Sequence, residues 1–177
     1  EAVHLPWVTL FAGCGSFGDR KGQALLPGVE YLENEPSSND KEIAGGAAIR
    51  RLVAPYKVCY PMMALTADGM WFSLAWQTGK LAASPLFDSP DRVFHSGGHV
   101  MGVWSPAVGE ARFESEFSVY RGVKLEAGQT YAYSATVSGG AGVAITEAVG
   151  AYVARNGLPQ VPVFEGGFDA AVRLLAA

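Results

Sequence analysis

Asp68-Gly69 is the feature of this sequence that most narrows the choice of fold. It sits between two apolar runs, Lys57 to Thr66 and Met70 to Trp76. Asp-Gly in that setting is the strongest short-range signal for a β-hairpin, because a two-residue turn of this kind needs positive φ at both central positions. The return strand has two faces. Phe72, Leu74 and Trp76 share one, expected to be core, and Trp71 lies on the other.

The surrounding chain keeps the same rhythm. Gly, Pro and Ser punctuate short runs through residues 1 to 140, which predicts an antiparallel β-sandwich or barrel. Trp7 to Phe11 reads as a first strand, Gly13 to Gly22 as a loop, Gly28 to Leu32 as a short strand and Glu33 to Asp40 as a turn-rich acidic stretch. Residues 41 to 52 fit an irregular connection. In Arg112 to Tyr120, Phe113, Ser115, Phe117 and Val119 alternate with Arg112, Glu114, Glu116 and Ser118, the period-two pattern of a half-buried strand. Val123 to Leu125, the turn Glu126 to Gln129 and Thr130 to Val137 predict a second hairpin.

After Gly139-Gly140 the spacing becomes helical. Ile145, Ala148, Val149, Tyr152 and Val153 form one stripe, and Gly157 followed by Pro159 stops it. A proline-rich link, Leu158 to Phe164, leads to a second short pattern, Phe168 to Leu175. The expected organisation is a sandwich over residues 1 to 140 and a helix with a linker-like helical tail over 141 to 177.

Charge and hydropathy bound the function. Of the 177 residues 17% are charged and 49% apolar, and the formal net charge is −4. With no basic cluster, the electrostatic footprint of a nucleic-acid binder is missing. No apolar run reaches the roughly 18 residues of a membrane helix. So little charge fits a domain covered by a neighbour or by self-association, and equally a well-packed β-protein with few surface lysines. The start at Glu1, with no initiator Met and no signal-peptide pattern, raises the expectation of a processed mature start or an excised domain. Cys14 and Cys59 are the only cysteines. One pair is weak support for a disulfide, and two buried free thiols are expected.

The densest polar segment is Asp88, Asp91, Arg92, His95, His99 and Trp104. His95 and His99 are four apart, but Ser96-Gly97-Gly98 between them is a poor helix, so a histidine pair that orders backbone is expected rather than a metal site. Gly13-Cys14-Gly15-Ser16-Phe17-Gly18 lacks both the Lys-Ser/Thr of a phosphate loop and the spacing of a dinucleotide fingerprint. No cofactor is expected. Trp71 and Trp104 are candidate sugar-stacking rings, since flat aromatic faces match the apolar faces of pyranoses. Asp88, Arg92 and His99 would supply hydroxyl partners, with Arg92 presenting planar donor pairs.

Several strings together resemble a known group: L-P-G-V-E-Y-L-E-N-E-P-S-S-N-D, P-Y-K-V-C-Y-P-M-M-A-L, D-G-M-W, L-A-W, F-D-S-P-D-R and H-V-M-G-V-W-S-P. They are similar to the β-sandwich region, a galactose-mutarotase-like supersandwich, of large bacterial glycoside-hydrolase-like proteins. In that group an (α/α) toroid carries the catalysis. No counterpart of the toroid is present in this sequence, so the resemblance implies an accessory module, with Thr146 onward as the linker and any acid and base lying elsewhere.

The first functional expectation is therefore a non-catalytic, secreted or cell-surface β-sandwich that binds or presents a glycan through Trp71, Trp104, Asp88, Arg92 and His99, or meets a neighbouring catalytic domain. The second is a subunit of an extracellular filament, in which the N-terminal strand Glu1 to Phe11 adds to a sheet edge of another copy. The third is a small sugar epimerase or lyase using His99 with Glu110 or Asp88.

Overall fold

The computed structural model describes residues 2–3, 5–11, 21–37, 53, 55–77, 83–91, 94, 96–105, 123–124, 126–158 and 165–175. The strands among these are β1 (Ala2–Val3), β2 (Leu5–Phe11), β3 (Lys21–Leu26), β4 (Glu30–Glu33), β5 (Met62–Ala67), β6 (Met70–Trp76), β7 (Ser84–Asp88), β8 (Val100–Ser105), β9 (Val123–Lys124) and β10 (Ala135–Ala141). Two helices follow, α1 (Ile145–Asn156) and α2 (Gly167–Leu175). The predicted strand Arg112 to Tyr120, the Gly13 to Gly18 loop, residues 41 to 52, Cys14, Arg92, His95 and Glu110 lie outside the described residues.

The Asp68-Gly69 hairpin forms as its sequence requires. Ala67 pairs with Met70, and φ is 51° at Asp68 and 75° at Gly69. This turn joins β5 to β6 at the middle of a five-stranded antiparallel sheet ordered β10-β6-β5-β3-β4. A second, three-stranded antiparallel sheet is ordered β2-β8-β7, and β1 pairs with β9. The fold is thus a mostly-β sandwich with short C-terminal helices.

Parity along the central strands decides the layers. Met63, Leu65, Leu74 and Trp76 point from the large sheet into a buried cluster shared with Phe87, Met101 and Val103 of the small sheet. The alternate residues Met62, Ala64 and Trp71 point the other way, into a second cluster with Ile145 and Ala148 of α1. Every residue of β5 is buried. A strand covered on both faces has no wet side and loses its alternation. The first N–H of α1 would otherwise lack an intrahelical acceptor. It donates to Gln23 Oε1 at 2.8 Å, which ties the helix to β3. At its other end the Gly157 N–H donates to the Val153 carbonyl at 2.8 Å, with φ 74° at the glycine.

Three strand expectations shift. A strand at Lys21–Leu26 was not foreseen; it pairs with both β4 and β5. Pro27-Gly28 is the turn between β3 and β4 rather than the start of a strand, with φ 87° at Gly28 and the Val29 N–H donating to the Leu26 carbonyl at 3.0 Å. The second hairpin also re-pairs: β9 joins β1, while the return strand starts at Ala135, runs to Ala141 and joins β6. The N-terminal strand expected to reach another copy is, over Leu5–Phe11, hydrogen-bonded to β8 of its own chain. Cys59 is a free thiol, as expected, but it is exposed rather than buried.

Candidate functional site

The strand pair β7 and β8 builds the candidate site, because the connection between them, residues 89–99, carries most of the polar side chains. The cross-strand pair Asp88↔Val100 closes the ladder, and Asp88 has no solvent exposure. Beyond it Asp91 folds the connection onto itself. Its carboxylate accepts the Phe94 N–H at 3.0 Å and the Ser96 N–H at 3.1 Å, and its own N–H donates to the Gly98 carbonyl. A short polar side chain that bonds its own backbone a few residues on replaces the missing ladder.

A second segment clamps this turn. The Ser89 N–H donates to Ser37 Oγ at 2.9 Å and the Ser37 N–H donates to the Ser89 carbonyl at 2.6 Å. Lys21, at the start of β3, donates from Nζ to the Glu35 carbonyl. Burial lowers the Lys21 ammonium pKa, against the raising influence of Glu35 and Glu30. Lys21, Ser37, Asp88, Ser89, Asp91 and His99 are all buried. Buried polar groups of this density must find partners or destabilise the fold.

His99 is the exception. It is fully buried, meets the Phe87 ring edge-on at 4.8 Å, and neither ring nitrogen has a hydrogen-bond partner among the described residues. Burial first, then the charge of Lys21, pulls its pKa down to about 3, with Asp91 opposing. The imidazole is therefore neutral at physiological pH. A substrate could reach it only if the packing over it moved, which bears directly on the epimerase or lyase expectation.

The aromatic residues separate into two places. Trp104 is buried, donates from Nε1 to Thr9 Oγ1 at 3.2 Å, and lies 5.9 Å from the Phe94 ring at a tilt of 47°. Phe94 is 42% exposed, so this pair reaches the surface. Trp71 belongs to the other face of the large sheet, under α1. A Cβ on Gly140 of the neighbouring strand would come within 2.8 Å of its Nε1, so the glycine makes room for the indole. Of the five candidate residues, Asp88 and His99 lie at the end of the β7–β8 ladder, Trp104 pairs with Ser84 at the far end of β8 and meets the connection through Phe94, Trp71 belongs to the other sheet, and Arg92 lies outside the described residues. Phe94, Lys21 and Ser37 were not nominated. For Phe94 the legible signal was its place three residues after Asp91.

Among the described residues no three His, Cys, Asp or Glu side chains are grouped to hold a metal ion, and no helix is long and apolar enough to cross a membrane. In comparisons with known proteins, no family model, no curated protein and no solved structure matches this chain.

Proposed function

We propose that this chain is a non-catalytic, extracytoplasmic β-sandwich module that contacts a glycan through the connection between β7 and β8. The observation that carries the reading is the half-open aromatic pair. Phe94 is held at the surface against Trp104 by a turn that Asp91 pins from within. An exposed ring on a hydrogen-bonded turn offers an apolar face to a pyranose. Arg92, adjacent to Asp91 in the sequence, adds planar donors for hydroxyls or a uronate carboxylate. Asp88 and His99 are buried, so they act as supports rather than contacts, and Trp71 serves the helix–sheet layer.

A glycan array followed by titration calorimetry tests the reading. Wild type is expected to bind a defined glycan class. Phe94→Ala should weaken that binding about tenfold or more, the loss of one stacking ring, with an unchanged far-ultraviolet spectrum. Absence of binding across neutral, uronate-bearing and amino-sugar glycans would remove the proposal.

A further inference from the structure

Among the described residues the two main sheets end in four edge strands, β10, β4, β2 and β7, and three of these carry features that discourage pairing with another chain. β4 is four residues long with Glu30 and Glu33 at its ends. β2 contains Pro6 and breaks register between Pro6 and Val8. β7 contains Pro85, whose carbonyl already accepts the Val53 N–H at 2.9 Å. Short length, charge, proline and bulges are the usual ways an edge is protected.

β10 has none of them. Its seven residues, Ala-Thr-Val-Ser-Gly-Gly-Ala, include no charge and no proline, and its pairing with β6 is continuous from Ala135↔Trp76 to Ala141↔Met70. Among the described residues β6 is its one strand neighbour. Val137 is 55% exposed on this edge.

The strand is also complementary to itself. In an antiparallel pairing of two copies centred on Ser138, Val137 of each copy lies opposite Gly139 of the other, and Thr136 opposite Gly140. Val137 and Gly139 fall on the same face of the pleat, and both are exposed. The one large apolar side chain of the edge thus meets a position with no side chain, twice by symmetry.

We propose that β10 is a homodimerisation edge, through which two copies pair antiparallel about Ser138 and join two five-stranded sheets into one. The occupant is a second copy of this strand rather than the N-terminal strand, because Leu5–Phe11 is already hydrogen-bonded along β8.

Analytical ultracentrifugation over a concentration series, combined with cross-linking, tests this. Wild type is expected to move from 18.7 kDa to twice that mass as concentration rises. Val137→Lys adds a charge at an exposed position, so at dilutions where both proteins are monomeric the melting temperature should be unchanged, while the dimer dissociation constant rises about tenfold or more. In a background with Cys14→Ser and Cys59→Ser, Ser138→Cys should form an intermolecular disulfide on mild oxidation, because it faces its own copy. Thr136→Cys, facing Gly140, should not. A monomer at every concentration, a dimer indifferent to Val137→Lys, or equal cross-linking by both cysteine variants would overturn the proposal.

Discussion

The space between the two sheets and the β7–β8 end of the molecule are both buried, yet they are held together by different physics. Between the sheets, Leu26, Leu65, Leu74, Phe87 and Val103 are apolar and almost completely covered. Their contribution scales with area and volume, and these five side chains carry no atom that needs a partner. At the β7–β8 end, Lys21, Ser37, Asp88, Asp91 and His99 are as deeply placed. Their contribution depends on individual hydrogen bonds and on protonation state. The first region should therefore respond to changes of size and ignore pH. The second should respond to pH and to single-atom changes.

Leu74→Ala probes the first region hardest. Leu74 has no solvent exposure and sits in the inter-sheet cluster, so truncation should cost about 2–5 kcal/mol through lost transfer and a residual cavity. Denaturant unfolding at pH 7 and pH 5 should give the same loss. A loss that varies with pH would break the contrast.

His99 probes the second. Its folded pKa is about 3 against an ordinary value of 6.5, so the unfolded chain takes up the proton first as pH falls. The stability this contributes is complete above about pH 6.5 and is lost progressively towards about pH 3. Between pH 7 and pH 5 the loss from this one group is about 2 kcal/mol. His99→Leu removes both unpartnered nitrogens, and replacing an unsatisfied polar group by an apolar one is close to neutral at pH 7. Its unfolding free energy should then be flatter with pH than that of wild type by this amount. Parallel curves for the two proteins would show that the imidazole is not the acid-sensitive group.

The same contrast explains what was legible in the sequence. Local chemistry was readable where it acts locally. Asp68-Gly69 fixed the central hairpin, and the Ile145–Val153 stripe ended by Gly157 fixed α1. The strand at Lys21–Leu26 was hidden because it opens with Lys21-Gly22-Gln23, polar and glycine-bearing, although Pro27-Gly28 announced its turn. Gln23 serves a helix 122 residues away and Thr66 receives the Gln23 N–H, so its polarity answers distant backbone rather than water. Polarity marked Asp88 and His99 as one neighbourhood, but not as a buried one, since Lys21 and Ser37, which act on it, come from other parts of the chain. Trp71 lies on the face opposite Trp76, as the period of two predicts. Its cover, α1, begins 74 positions later, and no local pattern states that it folds back there.

Asp91 is the smallest perturbation and the finest test, because it separates the polar region's stability from its surface. Asp91→Ala leaves the Phe94 and Ser96 N–H groups without their acceptor. Both amides lie in a partly exposed turn, so water can recover some of the loss, and the cost should be about 1–2 kcal/mol. Asp91→Asn keeps one acceptor oxygen and should recover roughly half. Hydrogen exchange distinguishes this from a general weakening. Protection should fall at Phe94 and Ser96 while the β5–β6 amides keep theirs. If the two turn amides and the central strands lose protection together, the polar end is not a separate element but part of the same cooperative unit as the apolar core. The Phe94 surface could then not be altered without altering the sandwich beneath it.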